Sequence, residues 1–272
     1  MSSDRPSPGP QQGTGKVYLV GAGPGDPELM TLKAARLLAA ADVVLYDRLI
    51  GDSVMDHCRA DAERIFVGKR RARHRLPQVA IHELMIDRAR RGLTVVRLKG
   101  GDPLIFGRAG EEITSLAAAS VPVEVVPGVT AAAGCAAERL LSLTHRDHAQ
   151  TLVITTGHRH DGTVDLDWPA LCRPQQTLVI YMSHYTTTAI CAGLVAGGLP
   201  PELPACLIEN GTRDDSRHIL ANLATLPALV EATAIEGPAL LIVGRVLTAA
   251  SADGSGIAAT TAATDQPEAA VD

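Results

Sequence analysis

Aromatic residues are scarce in this chain of 272 residues, which contains two Phe, four Tyr and one Trp. Hydrophobic residues still make up 46% of the sequence, so we expect cores built from Ala, Val, Leu and Ile. No apolar run approaches the roughly 18 residues that a membrane span requires. The segment Met1 to Gly15 also lacks the apolar core of a signal peptide. These absences predict a cytoplasmic protein with no membrane partner.

Paired cysteines are also missing. The five cysteines are odd in number and form no C-x-x-C pair, which favours reduced thiols over a disulfide framework or a zinc site. The net charge of −5 argues against a dedicated nucleic-acid partner. We therefore expect neither bound metal nor bound nucleic acid.

Apolar strand patterns alternate with helical patterns along the chain. In the first half, the continuous β-branched runs favour a mostly parallel sheet that is covered on both faces. Strand patterns resume after residue 150, so we expect an α/β fold of two α/β domains with an interdomain cleft. The predicted strands of the first half are Val17–Val20, Val43–Tyr46, Arg64–Val67, Thr94–Leu98 and Val123–Val126. The predicted boundaries are a disordered tail at 1–15, a first domain at 16–128, an interdomain segment at 129–150, a second domain at 151–248 and a disordered tail at 249–272.

Two glycine-rich loops each follow a predicted strand. The first, Gly21 to Gly25, resembles a dinucleotide fingerprint, and Asp47 ends the next strand, where a ribose-binding acid would lie. However, Pro24 removes a backbone N–H from the turn, and the third glycine comes one position early. A ligand without phosphates, such as an adenosyl sulfonium, does not need the lost donor. In the second loop, paired glycines precede Asp102 and permit close approach of the backbone to a ligand.

A cationic run occupies residues 69–75, with five fixed positive charges in seven residues of an acidic protein. It is either a solvated loop or a site for a polyanion, namely nucleic acid or a small molecule with many carboxylates. No aromatic residues alternate with these cations, which argues against a platform for stacked bases. A second polar segment, His145 to His148, is open to three interpretations: a metal motif, a polar interdomain segment, or an anion contact through His145 and Arg146.

Several motifs together resemble the uroporphyrinogen-III C-methyltransferases, within the tetrapyrrole methylase family. They run in order over about residues 16–248, so a chance resemblance is very improbable. The matching segments are Val20 to Pro27, Tyr46 to Leu49, Val67 to Arg70, Arg97 to Pro103, Val126 to Ala131, Thr144 to Asp147, Thr156 to His158, Tyr181 to Met182 and Glu209 to Thr212.

The resemblance implies a homodimer with the tetrapyrrole methylase fold that binds S-adenosylmethionine in the interdomain cleft and needs no metal. Its tetrapyrrole substrate would be uroporphyrinogen III, methylated at C2 and then C7 to give precorrin-2 for siroheme or cobalamin. By motif, Asp47 would be the proton acceptor and Lys69 the proton donor. Substrate contacts would come from Arg70, Arg71, His145 and Arg146. Cofactor contacts would come from Pro24, Gly100, Gly101, Asp102, Ile105, Thr130, Ala131, Met182 and Gly211. A reductase and ferrochelatase domain is sometimes fused upstream in this family, and because fifteen residues precede the first strand we expect a monofunctional chain.

One segment departs from the family pattern. Relatives usually have Tyr-x-Gly-Ile-Pro-Leu before the conserved Thr, whereas residues 138–143 here are Glu-Arg-Leu-Leu-Ser-Leu. The change either alters the wall of the substrate pocket or extends the preceding helix. The position after Pro103 is Leu104, where an aromatic residue is common.

Alternative functions are a sister methylase acting on a later precorrin, and a more distant relative acting on diphthine or ribosomal RNA. From other classes, a nicotinamide-dependent oxidoreductase and a non-catalytic ligand-binding module remain open.

Overall fold

The computed structural model describes residues 13–68, 76–157 and 164–248. The chain divides between Ala131 and Ala132 into two compact units, a point that lies inside the predicted interdomain segment. In the first unit the elements are β1 (Val17–Gly21), α1 (Leu32–Ala40), β2 (Val43–Tyr46), α2 (Asp52–Met55), β3 (Glu63–Phe66), α3 (Gln78–Arg90), β4 (Val95–Lys99), α4 (Ala109–Ala118) and β5 (Val123–Val126). In the second they are α5, which starts at the boundary (Ala131–Glu138), β6 (Thr151–Thr156), α6 (Trp168–Leu171), β7 (Gln176–Tyr181), α7 (Thr187–Ala196), β8 (Pro204–Glu209), β9 (Arg217–Asn222), α8 (Leu226–Thr233) and β10 (Ala239–Val243).

The first unit contains a fully parallel five-stranded sheet in the order β3-β2-β4-β1-β5. Successive residues of each strand enter different cores because side chains alternate between the faces of a sheet. Val44 and Val96 pack with α1 and α2, whereas Val43 and Val95 pack with α3 and α4. The sheet is therefore covered on both faces, as expected from its apolar strands.

Local signals set the bounds of several elements in the first unit. The hydroxyl of Thr31 accepts the N–H of Ala34 at 3.1 Å and so caps α1 at the predicted residue. The predicted strands Val43–Tyr46 and Val123–Val126 coincide with β2 and β5.

The second unit contains a mixed sheet in the order β6-β7-β10-β8-β9. Only β6 and β7 pair in parallel, and the other three pairs are antiparallel. The core on one face packs against α7 and α8, and the core on the other face packs against α5. Because β7 and β8 both run opposite to β10, they end at the same edge of the sheet.

All five cysteines are free thiols, and four of them are buried. Burial raises the pKa of the Cys135 and Cys206 thiols, each to about 12. These thiols therefore stay protonated at neutral pH. Within the described ranges, no helix is both long enough and apolar enough to cross a membrane.

Candidate functional site

The carboxyl edge of the parallel sheet has a topological switch point between β1 and β4. The chain leaves β1 through α1 toward β2, on one side, and leaves β4 through α4 toward β5, on the other. In open α/β sheets, ligands bind outside the carboxyl ends of the strands at such a point. The two glycine-rich loops follow β1 and β4, so the topology places both at the switch point.

Backbone hydrogen bonds join the two glycine loops directly. The Gly101 N–H donates to the Gly23 carbonyl at 2.7 Å, and the Gly23 N–H donates to the Gly101 carbonyl at 3.3 Å. Gly101 has φ +66°, a left-handed conformation that residues with a Cβ rarely adopt. A Cβ built there meets Ala131 N at 3.7 Å and Thr130 Cα at 3.8 Å, which are ordinary contacts. Backbone conformation, rather than crowding within the protein, therefore selects glycine at this position.

Asp102 ties the second glycine loop to the segment after β5. One carboxylate oxygen accepts the Leu104 N–H at 2.8 Å, and the other accepts the Gly128 N–H at 3.1 Å. Ile105 follows in the same loop and is 38% exposed despite its apolar side chain. This loop therefore combines a fixed backbone with an apolar surface that a ligand could cover.

Asp47 lies immediately after β2, beside the β4 loop. One carboxylate oxygen accepts the Leu49 N–H at 3.0 Å, and the other accepts a hydrogen bond from the Arg97 guanidinium at 3.1 Å. Arg97 is buried and also donates to the Leu98 carbonyl at 2.8 Å. The carboxylate is thus held in one orientation, with a quarter of its side chain exposed. This geometry suits a positioned proton acceptor, and it also shows Asp47 holding a neighbouring loop.

A buried ionic cluster supports Asp47 from inside the unit, and we define it as Asp47, Arg97, Lys99 and Glu112. The Glu112 side chain is fully buried and accepts Lys99 at 2.9 and 3.0 Å and Arg97 at 3.3 Å. Gln78 of α3 donates to the same carboxylate at 3.2 Å. Burial, followed by the nearby Arg97 charge, lowers the pKa of Lys99, although Glu112 acts in the opposite direction. Two cations and two carboxylates balance within the cluster.

The edge of the second sheet at which β7 and β8 end carries a comparable pair of turns. Met182 directly follows β7, has φ +54° and is 45% exposed. Gly211 lies in the turn after β8, between Asn210 and Thr212, which both have left-handed backbones. Because β7 and β8 end at one edge, Met182 and Gly211 lie on the same side of this sheet.

The segment from His145 to Ala149 forms a tight turn, not a helix. His145 and Ala149 exchange backbone hydrogen bonds of 2.8 and 2.9 Å. The rings of His145 and His148 stack with centroids 4.6 Å apart, and Arg146 is exposed. In the described part of the chain, no group of three His, Cys, Asp or Glu side chains could hold a metal ion. The turn leaves the Arg146 side chain exposed, which is compatible with an anion contact.

Comparison with known proteins decides the family. The sequence profile of the Tetrapyrrole (Corrin/Porphyrin) Methylases matches residues 16–227. The siroheme synthase of Gluconacetobacter diazotrophicus is 55% identical over 234 residues, which are 86% of this chain and 50% of that protein. The chain belongs to the tetrapyrrole methylase family.

Solved structures agree with this assignment. The uroporphyrin-III C-methyltransferase from Thermus thermophilus, complexed with S-adenosylhomocysteine, is 41% identical with a TM-score of 0.75. The match covers 86% of this chain and all of that chain. A cobalt precorrin-4 methyltransferase has a TM-score of 0.77 at 28% identity, with 85% of this chain and 95% of that one covered. The predicted family and fold class are confirmed. This tetrapyrrole methylase spans about half the length of the curated relatives it matches.

The predicted site residues of this tetrapyrrole methylase fall into three groups. In the first unit, the edge with the switch point carries Pro24, Asp47, Gly100, Gly101, Asp102, Ile105, Thr130 and Ala131. In the second unit, Met182 and Gly211 lie on the edge described above, and His145 and Arg146 lie in the tight turn. The proposed donor Lys69 and the substrate contacts Arg70 and Arg71 lie outside the described residues.

Sequence reasoning missed the buried partner of the ionic cluster, Glu112. Helical spacing would have found it, because Ala109, Glu112 and Leu116 are the buried face of α4. A carboxylate on an apolar helix face needs a cation nearby. Two cations are available at the predicted buried strand, because Arg97 lies within it and Lys99 directly follows its last residue, Leu98.

Proposed function

We propose that this tetrapyrrole methylase transfers methyl groups from S-adenosylmethionine to C2 and C7 of uroporphyrinogen III, giving precorrin-2 for siroheme or cobalamin. The observation that carries the proposal is the joining of the two glycine loops at the switch point. It occurs in a chain that matches the full length of a uroporphyrin-III C-methyltransferase at 41% identity. We further propose that the protein acts as a cytoplasmic homodimer and has neither a nucleic-acid nor a membrane partner.

The residues present fit an adenosyl sulfonium better than a dinucleotide. Pro24 offers no N–H for a pyrophosphate, whereas Ile105 and Met182 expose apolar surface suited to an adenosyl or methionyl group. When bound, S-adenosylmethionine supplies an electrophilic methyl group without a metal. In the first unit, we propose cofactor contacts from Pro24, Gly100, Gly101, Asp102, Ile105, Thr130 and Ala131. In the second unit, we propose contacts from Met182 and Gly211.

Asp47 is the proposed proton acceptor. The reduced pyrrole is already electron-rich at carbon, so alignment supplies much of the catalysis, and a proton must then leave the macrocycle. Arg97 and the Leu49 N–H each occupy one Asp47 oxygen, which fixes the carboxylate while leaving lone pairs to accept that proton. Lys69 is the proposed donor.

The substrate carries many carboxylates, so an acidic enzyme must concentrate positive charge where the substrate binds. We propose that Arg70 and Arg71 bind these carboxylates, because a guanidinium can grip a carboxylate through two hydrogen bonds. His145 and Arg146 are the proposed second set of contacts. The exposure of Arg146 leaves it available for such a contact.

The test is incubation with uroporphyrinogen III and isotopically labelled S-adenosylmethionine, followed by mass spectrometry. Two labelled methyl groups per macrocycle are expected. The similarity to a cobalt precorrin-4 methyltransferase makes a sister precorrin methylase the second candidate. Turnover of a later precorrin, with none of uroporphyrinogen III, would favour that candidate.

Calorimetry separates the remaining classes. Binding of S-adenosylhomocysteine without binding of NAD would exclude the nicotinamide oxidoreductase. Any turnover would exclude a non-catalytic binding module.

A further inference from the structure

The end of α5 is tied to the turn that carries Gly211. The Glu138 carboxylate accepts the Thr212 N–H at 3.0 Å and the Ser216 hydroxyl at 3.1 Å. Arg139 donates to Glu138 at 3.2 Å and to the Ser216 hydroxyl at 2.8 Å. We refer to residues 210–216 as the 210–216 turn. Glu138 and Arg139 belong to residues 138–143, the segment that departs from the family pattern.

The 210–216 turn needs external support because its backbone is strained. Asn210 has φ +51° and Thr212 has φ +66°, and neither is glycine. Such conformations are strained in residues that carry a Cβ, and they persist only when surrounding contacts hold them. Asn210 is held within the turn, since its amide donates to Asp215 at 2.7 Å. Glu138, on α5, contributes to holding Thr212 by accepting its N–H.

Gly211, between these two residues, packs directly on the same helix. A Cβ built on Gly211 would lie 2.3 Å from the Cys135 sulfur, so a side chain at this position would require Cys135 to move. Cys135 and Glu138 are three residues apart and therefore share one face of α5. Two neighbouring residues of the 210–216 turn therefore contact one face of α5. Cys135 contacts Gly211, and Glu138, about one helical turn further along α5, holds Thr212.

We propose that Glu138 is a positioning residue for cofactor binding. By accepting the Thr212 N–H, it fixes the peptide after Gly211 in the conformation that presents Gly211 to the adenosyl cofactor. The proposal rests on the proposed function, in which Gly211 contacts S-adenosylmethionine. Glu138 acts through the turn and does not touch the reacting atoms.

Three substitutions separate the reach of the side chain from its charge. Glu138→Gln keeps an oxygen at the same distance and loses the charge. Glu138→Asp keeps the charge but is one methylene too short for Thr212, and Glu138→Ala removes both. The control is Glu231→Ala, an exposed acid on α8.

The affinity for S-adenosylhomocysteine, measured by isothermal titration calorimetry, is the primary readout. We expect Glu138→Ala and Glu138→Asp to weaken binding about 10-fold, since each loses a charge-assisted hydrogen bond. Glu138→Gln and the control should stay within about 3-fold of the parent chain. The KM for S-adenosylmethionine should rise in the same two variants, with kcat at saturating cofactor and the KM for the tetrapyrrole unchanged.

The outcomes distinguish this proposal from the proposed function. If the parent chain fails to bind S-adenosylhomocysteine, the proposed function is wrong. If the parent chain binds and Glu138→Asp binds equally well, only the role of Glu138 is wrong. Equal losses in the Asp and Gln variants, or a loss of kcat without a loss of affinity, would also overturn it. Glu138→Asp retains a carboxylate on the helix, so the test survives even if Glu138→Ala does not fold.

Discussion

Neutralising Glu112 tests whether charge balance holds the ionic cluster beneath Asp47. In Glu112→Gln, the cations Arg97 and Lys99 would share the single counter-charge of Asp47. Breaking a buried ion pair by removing one partner costs about 3–5 kcal/mol, and the Glu112 side chain is fully buried. We therefore expect the free energy of unfolding, measured by urea denaturation with circular dichroism, to fall by about that amount.

A second substitution should restore the balance. Glu112→Gln/Lys99→Met removes one charge of each sign and leaves Arg97 paired with Asp47. We expect this double variant to be more stable than Glu112→Gln by about 2 kcal/mol, a typical coupling for residues in one network. Glu111→Gln is the control, because Glu111 forms a surface pair with Arg108 and its loss should cost under about 1 kcal/mol.

The loss of unfolding free energy caused by Glu112→Gln should also depend on pH. The folded protein lowers the pKa of Lys99 from 10.5, so the unfolded chain binds more protons between the folded and unfolded values. Stability therefore rises with pH across that window. Loss of Glu112 removes the group that opposes this shift, so the pKa of Lys99 falls further and the window widens. This loss should be largest at the acidic end of that window and should shrink as the pH rises toward the ordinary Lys pKa of 10.5. Two results together would refute the argument from charge balance. The stability losses of Glu112→Gln and Lys99→Met would add in the double variant, and the loss caused by Glu112→Gln would not change with pH.

Three further predictions address the proposed proton acceptor Asp47, the glycine loop and the proposed substrate contacts. Asp47→Ala should lower turnover by roughly 10²-fold and leave S-adenosylhomocysteine affinity within a few fold, whereas unchanged turnover would leave Asp47 a loop-holding residue. Gly101→Val should abolish S-adenosylhomocysteine binding in calorimetry, since a branched residue resists φ +66°. Normal affinity in this variant would mean that the loop only connects β4 to α4. Arg70→Ala combined with Arg71→Ala should raise the KM for the tetrapyrrole but not for S-adenosylmethionine. That effect should weaken as salt increases, and equal losses for both substrates would contradict it.

Much of the first unit could be predicted from local patterns. Continuous apolar strands, the Thr31 cap and the two glycine loops are all encoded within a few neighbouring residues. The pairing of Gly23 with Gly101 could not be predicted from spacing, because it depends on β1 and β4 being neighbours in the sheet. The strand order and strand directions of the second sheet could not be predicted from local patterns either. Strand patterns after residue 150 show where strands lie but not that β10 runs antiparallel between β7 and β8.

Residues 138–143, the segment that departs from the family pattern, contain a left-handed residue at the end of α5 although they lack glycine. The helix α5 includes Glu138 and ends there, so residues 139–143 do not extend it. Leu140 stands where relatives usually have Gly and still adopts φ +53°, the conformation for which Gly is suited. Its side chain is 67% exposed and contributes little packing to offset the strain. The N–H groups of Leu140 and Leu141 donate to the carbonyls of Ala137 and Ala136 at 3.1 and 2.8 Å, which closes the helix in the manner of a Schellman motif.

The hydrogen bonds that close the helix thus hold Leu140 in the left-handed conformation, despite the strain that its Cβ causes there. Leu140→Gly should therefore raise the free energy of unfolding by up to about 1 kcal/mol, the strain of a left-handed residue less the extra entropy of glycine in the unfolded chain. Leu140→Ala keeps the Cβ and should bring no gain, so urea denaturation of the two variants separates relief of strain from loss of an exposed apolar side chain. If alanine stabilised the protein as much as glycine, exposure rather than backbone conformation would be the cost at this position. A destabilised glycine variant would mean that Leu140 contributes packing that outweighs its strained backbone.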